Sequence, residues 1–204
     1  MSTYEKPDFW AQKAKKEGYP ARSVYKLQEI DEKFHLFRKG IRVLDIGAAP
    51  GSWSLWVLKK LAGSGFLSAV DLQPLGMKPP FDNFMFIQGD LYDPAVREAL
   101  VSKGPYNLVI SDAAPATTGN RLVDQGASES IVEAVIEYGL GALAPGGALV
   151  AKIFQGGAER ELIDRLKESF TQARAFKPQA CRSESFETYL VATGFKGGTA
   201  LGPR

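Results

Sequence analysis

From residue 42 onward, short apolar runs alternate with longer stretches whose apolar residues recur every three or four positions. That alternation is the pattern of βα units feeding a parallel sheet. Arg42–Ile46 reads as the first strand, followed by a glycine-rich turn and a helix over Ser52–Leu61. Residues 65–70 and 84–88 read as the second and third strands, and a helix over 94–102 leads into a fourth at 106–111. A long helix over 128–143 is stopped by Pro145-Gly146-Gly147, and 148–154 forms the fifth strand. A helix over 159–170 follows. Residues 188–193 alternate as a closing strand, and 173–177 supply a seventh. Upstream, 23–33 carries Val24, Leu27 and Ile30 on one helical face. The expected fold class is α/β: a Rossmann-like, mostly parallel seven-stranded sheet with an antiparallel last strand. Residues 1–40 are expected to form a basic helical extension, 41–196 the catalytic domain and 197–204 a flexible tail.

Composition narrows the chemistry. Hydrophobic residues make up 45% of the 204 and charged residues 24%, the balance of a globular domain. No apolar stretch reaches the roughly 18 residues that cross a bilayer, and the first residues lack the pattern of a secretory signal. A cytoplasmic monomer without membrane contact is expected. One cysteine, Cys181, excludes an internal disulfide, and one histidine, His35, removes most histidine-based chemistry; no structural metal is expected. Carboxylates, lysines and backbone groups remain. Net charge is +2, yet residues 1–42 hold ten Lys/Arg against six Asp/Glu, so a basic leader precedes a mildly acidic body. Such a leader suits an anionic partner, or a solvated helix face of mixed charge.

The loop after the first strand, Asp45-Ile46-Gly47-Ala48-Ala49-Pro50-Gly51-Ser52-Trp53, spaces its glycines as Gly-x-x-x-Gly. Dinucleotide binders use Gly-x-Gly-x-x-Gly, and phosphate-gripping loops end in Gly-Lys-Ser/Thr. A loop at the sheet's switch point without a phosphate cradle suits a nucleoside bearing a charged amino-acid tail, which describes S-adenosylmethionine. Asp71 ends the second strand, where a carboxylate can accept from both ribose hydroxyls; Asp90, after the third, can accept from an adenine amino group. Either one alone is more often a cap or turn residue. Two successive strand ends carrying one each change that balance. Trp53 is a packing aromatic or a border of the cofactor pocket.

Lys152 stands inside the apolar run 148–154, where an ammonium is costly unless paired or snorkelling from an edge strand. Asp112 ends the fourth strand, commonly the fifth strand's neighbour in such sheets. An antiparallel last strand brings Glu187 to the same edge, and Lys26 reaches it from the N-terminal helix. Methyl transfer to a hydroxyl needs in-line approach and loss of the hydroxyl proton. A lysine serves as base when burial or a second cation disfavours its charge; Lys26 can act so on Lys152 while Asp112 and Glu187 orient both.

At these residues the chain closely resembles the FtsJ/RrmJ (RlmE) family of ribosomal RNA 2′-O-methyltransferases, over about residues 8–196. The likeness is carried by Arg22-Ser23-Val24-Tyr25-Lys26-Leu27, by Leu44 to Trp53, by Ser111-Asp112 with Ala114-Pro115, by Lys152 with Phe154-Gln155-Gly156, and by Tyr189 to Gly194. The resemblance implies the methyltransferase version of the fold. It also implies a Lys26, Asp112, Lys152, Glu187 tetrad with Lys152 as proton acceptor. Cofactor contacts are expected at Gly47, Ala48, Pro50, Gly51, Trp53, Asp71, Asp90 and Asp112. Ser52 and Ala116 depart from the family pattern, which has glycine and asparagine there.

The implied partner is ribosomal RNA, in the large subunit, with a uridine ribose as acceptor. Tyr4, Phe9, Trp10, Tyr19 and Tyr25, interleaved with the basic leader, suit RNA stacking or ordinary packing on the core. Transfer RNA, mitochondrial rRNA or an mRNA cap remain alternative acceptors, and a non-catalytic RNA-binding assembly factor a different class of reading. A dinucleotide-dependent oxidoreductase is disfavoured by the glycine spacing.

Overall fold

A computed structural model describes residues 8–182 and 185–198. Tyr4, Lys6 and residues 199–204 of the expected tail lie outside the described residues. Two helices, α1 (Phe9–Lys16) and α2 (Val24–Phe34), precede an alternating βα core. That core runs β1 (Arg42–Ile46), α3 (Ser52–Leu61), β2 (Phe66–Asp71), β3 (Phe84–Gln88), α4 (Pro94–Val101) and β4 (Tyr106–Ser111). It continues with α5 (Arg121–Ala142), β5 (Leu143–Phe154), α6 (Ala158–Ser169), β6 (Phe170–Phe176) and β7 (Glu187–Phe195). The seven strands form one sheet in the order β3-β2-β1-β4-β5-β7-β6. Pairings from β3 through β5 are parallel, while β7 runs antiparallel to both neighbours.

Each face of the sheet buries its own apolar layer. One joins Leu44, Val109, Leu149, Ile153 and Leu190 to Val96 and Leu100 of α4, Val132 and Val135 of α5, and Leu162 and Leu166 of α6. The other joins Val43, Ile110, Val150, Tyr189 and Val191 to Leu27 and Ile30 of α2 and Trp53, Val57, Leu58 and Leu61 of α3. Successive strand residues point to opposite faces, so the parity of each position decides which layer it enters. Lys152 and Asp112 share parity with Val150 and Ile110, on the face covered by α2 and α3.

Three boundaries differ from the sequence reading by three residues or more, each for a local reason. α5 begins at Arg121 rather than 128, because Asn120 caps it: its side-chain oxygen accepts from Leu122 and Val123 N–H groups. The Pro145-Gly146-Gly147 turn lies within β5 as an irregularity, with Leu143 pairing Tyr106 before Ala148 pairs Leu108. β6 begins at Phe170, directly after α6, since Phe170 is fully buried against Phe195. No helix among the described residues is long and apolar enough to cross a membrane.

Leu149 is fully buried in the α4–α6 layer and packs so near α5 that a Cβ on Gly139 would fall 2.5 Å from it. Leu149→Ala leaves a cavity that this close approach keeps from collapsing. The substitution is expected to lower unfolding free energy by about 3 kcal/mol, measured by urea denaturation.

Candidate active site

The parallel strands end at one edge of the sheet, and the antiparallel β7 begins there. β7 pairs with β5 in a register that sets Tyr189 opposite Lys152 and Glu187 opposite Phe154. Directly opposed residues share a face, so all four project toward α2 and α3. α2 delivers Lys26 to the same place, where Lys26 Nζ lies 2.5 Å from Glu187 Oε1. Lys152 Nζ donates to the Asp112 backbone carbonyl at 2.6 Å and lies 3.1 Å from Asp112 Oδ1. Two of its three N–H directions are thereby spent on Asp112, leaving one toward the edge.

Tyr189 joins these two ion pairs. Its hydroxyl donates to Asp112 Oδ1 at 2.6 Å, and Lys26 Nζ sits 5.9 Å from its ring centroid. Its ring lies tilted against Trp53 at 5.8 Å. The residue is 0% exposed, whereas Lys26 and Lys152 each retain 8%. Burial, then the charges of Asp112 and Glu187, push the phenol well above its ordinary pKa, so it stays a donor. Burial opposes the charge on Asp112, but Lys152 and Lys26 outweigh it and hold the carboxyl below its usual value. Burial likewise opposes charge on Lys26; Asp112 and Glu187 prevail, and its pKa rises. Beside them the Cys181 thiol is pushed up to about 12 by burial and by its Glu187 neighbour.

The glycine-rich loop adjoins this cluster. Gly47 adopts φ +75°, and a Cβ there would meet the Ala113 Cβ at 2.5 Å, so the loops after β1 and β4 touch. Gly51 has φ +106° and is covered by Met77. Ala48 and Pro50 lie between them, Ala48 buried. Asp71 anchors the loop: its oxygens accept from the Ala49 and Gln73 N–H groups, each at 2.8 Å. Each oxygen keeps acceptor capacity beyond that one bond. Asp90, exposed at the end of the neighbouring turn, accepts from Tyr92 N–H at 2.9 Å. Trp53 is a packing residue by its contacts, 2% exposed, with its indole N–H donating to the Ser23 carbonyl at 2.8 Å.

Two residues given no role by the sequence reading belong to the site. Tyr189 is one; its alternation with Glu187 and Lys152's place in the facing strand were its signal. Asp45 is the other, and the rule applied to Lys152, a charge inside an apolar strand, points to it equally. It is 1% exposed, and Ser54 Oγ donates to its Oδ2 at 2.6 Å. Its Oδ1 has no hydrogen-bond partner. Burial, with Asp112 and Asp71 adding to it against the Ser54 hydrogen bond, raises its pKa to about 7.

The folded chain therefore holds a proton on Asp45 in a range where the unfolded chain, near the ordinary aspartate value of 3.8, has released it. Between those values the folded state binds more protons, so this group's contribution to stability falls as pH rises and levels above about 7. Asp45→Asn is expected to flatten that decline. Urea midpoints from pH 4 to 8 check it, and superimposable profiles for the two proteins would show that Asp45 stays ionised throughout.

Comparisons with known proteins identify the family and the fold. A family model described as FtsJ-like methyltransferase matches residues 19–195. A Treponema denticola protein named ribosomal RNA large subunit methyltransferase E is 50% identical over 95% of this chain and 98% of its own length. A Borreliella afzelii protein of the same name is 47% identical over 92% and 98%. A Plasmodium falciparum structure described as a ribosomal RNA methyltransferase superposes with TM-score 0.76 at 26% identity, covering 88% of this chain and all of that one. MycE methyltransferase from the mycinamycin pathway shares the fold, with TM-score 0.56 at 18% identity over 98% of this chain and 53% of its own. The chain belongs to the FtsJ-like methyltransferase family.

Proposed function

We propose that this chain transfers a methyl group from S-adenosylmethionine to the ribose 2′-hydroxyl of a uridine in large-subunit ribosomal RNA, in the cytoplasm. The observation that carries the reading is the pair of lysine–carboxylate contacts joined by Tyr189 beside the Gly47–Gly51 loop. The names of the relatives support ribosomal RNA as the acceptor.

The residues present fit the cofactor. Asp45 Oδ1, buried and unpartnered, is an acceptor suited to an amino-acid ammonium. The backbone of Gly47, Ala48, Pro50 and Gly51 would hold the tail, Asp71 the ribose hydroxyls, and Asp90 the adenine amino group. Asp112 would border the reacting end. When bound, S-adenosylmethionine supplies a sulfonium-activated methyl group.

The chain's own residues supply the acid–base and orienting work. Lys152 Nζ, as the neutral amine with both N–H groups on Asp112, takes the proton from the ribose hydroxyl on the lone pair that those two contacts leave facing the edge. Asp112 fixes that nitrogen and is itself fixed by the Tyr189 hydroxyl, so the base cannot swing among rotamers. Lys26, held cationic by Asp112 and Glu187, keeps a positive charge within the cluster. Glu187 holds Lys26 in that position.

Lys152→Ala is expected to abolish transfer while leaving S-adenosylmethionine affinity within a few-fold. The check uses methyl-labelled cofactor with large ribosomal subunits that lack the modification, then nucleoside digestion and cofactor titration. Label in 2′-O-methyluridine with the native chain and none with the variant is the expected result. Cofactor binding without label would move the acceptor to another RNA. Neither binding nor label would favour a non-catalytic assembly factor.

A further inference from the structure

We infer that Arg121 and Phe186 form a stacking platform for the base of the nucleotide being modified, set at the outer rim of the tetrad. The inference rests on the proposed RNA acceptor and deepens it.

The tetrad lies largely buried, so a ribose hydroxyl reaches Lys152 only if its nucleotide leaves its stacked neighbours. An extruded base loses stacking on both faces and needs an apolar or guanidinium plane close to the ribose. The rim beside Glu187 offers one. Phe186 immediately precedes Glu187, and the guanidinium of Arg121 lies over its ring, 5.4 Å from the centroid. Phe154 meets the same ring edge-on at 4.8 Å. Phe154 is two residues beyond Lys152 in β5, on the same face and about 7 Å along the strand. A nucleotide whose hydroxyl meets Lys152 therefore has Phe186 within reach of its base.

The platform is built rather than incidental. Gln155 N–H donates to the Phe186 carbonyl at 2.7 Å, and the Gln125 side-chain amide donates to the Gln155 carbonyl. These bonds fasten the end of β5, the residue before β7 and the first turns of α5 to one another. Arg121 sits on the first turn of α5, capped by Asn120 and followed by exposed Leu122 and Val123. Of the cation–ring contacts among the described residues, three involve a tetrad residue or its chain neighbour: Arg121 over Phe186, Lys26 over Tyr189 and Lys13 over Tyr25. The Tyr189 and Tyr25 rings are buried, whereas Arg121 is exposed and Phe186 half-buried, so of the three this pair presents its ring to a base. Guanidinium and aromatic planes are the surfaces on which unstacked bases settle in single-stranded RNA recognition.

The test compares the native chain with Phe186→Ala, Phe186→Trp and Arg121→Ala. Binding to unmodified large ribosomal subunits is measured with the protein saturated in S-adenosylhomocysteine, and methyl transfer is followed against subunit concentration. Phe186→Ala is expected to weaken subunit binding and raise KM about tenfold, the range of one lost base stack. Its kcat should change by less than threefold and its cofactor affinity not at all. Phe186→Trp should stay within about twofold of the native chain, and Arg121→Ala should fall between. Unchanged subunit binding in Phe186→Ala overturns the platform. So does a joint collapse of cofactor affinity and kcat, or a tryptophan variant no better than alanine. Binding that follows the expected order without methyl transfer by the native chain would leave the platform standing and remove the proposed reaction; no binding by the native chain removes both.

Discussion

Lys152 lies opposite Tyr189, and Phe154 opposite Glu187, because β7 runs antiparallel beside β5 in one fixed register. A slip of one residue would turn each of these side chains to the other face of the sheet. Lys152 would then point into the layer of Leu149, Ile153 and Leu190, with no carboxylate to meet it. The register is held by burial on both faces: Val150 and Val191 on one, Leu149 and Ala192 on the other, all at most 1% exposed. The apolar alternation that makes β5 and β7 good core strands is thus also what assembles the tetrad. The reversed direction of β7 matters as much. A parallel last strand would carry Glu187 to the opposite edge, away from Asp112 and Lys26.

Burial sets the terms for the charges gathered there. Desolvation disfavours every ionised group in the cluster, and what differs is the company each keeps. Asp112 has Lys152, Lys26 and the Tyr189 hydroxyl, and its carboxyl is held below its usual range. Asp45, on the same face of the adjacent strand, has one serine hydroxyl and two carboxylate neighbours, and rises to about 7. The same residue type on neighbouring strand ends is thereby tuned in opposite directions. The ion pairs are weak evidence of stability, since their desolvation offsets much of their attraction. Their effect is on position: each lysine is held by a carboxylate on a different element.

Much of this was legible in the sequence, and its limits have identifiable causes. Strand β1, β3 and β4 boundaries follow from short apolar runs bounded by polar or glycine residues. The sheet's mixed direction follows from the same βα alternation and the closing strand. The first turns of α5 expose Leu122 and Val123 and carry no apolar stripe, so apolar periodicity places the helix start too late, and the Asn120 cap is the sequence signal that marks it. Tyr189 reads as one more aromatic in a strand until its register partner is known, and register is a property of two strands rather than one. Asp45 sits at the start of a glycine-loop motif, and its burial depends on the packing of α3 rather than on the local pattern.

The N-terminal extension shows why charge counting alone misjudges a segment's role. Its surplus of cations suggests a strip for phosphates, yet Lys26 is buried against Glu187, and Lys60 of α3 is paired with Asp31 of α2. Glu29, one turn beyond Lys26, accepts from the N–H groups of Gln179 and Ala180 at 2.6 and 2.8 Å, fixing the connection that leads into β7. Arg22 donates to the Ala180 carbonyl at 2.6 Å. Ser52, the departure from the family pattern, accepts from Ala21 N–H at 2.6 Å and ties the extension to the first turn of α3. These contacts make α2 a wall of the site. Among the described residues, the exposed cations of the extension are Lys15, Lys16, Lys33, Arg38 and Lys39. Any phosphate strip on the extension is therefore carried by residues other than the lysine that completes the tetrad. On the proposed reading, attraction to an RNA backbone and the acid–base chemistry can vary independently within one short segment.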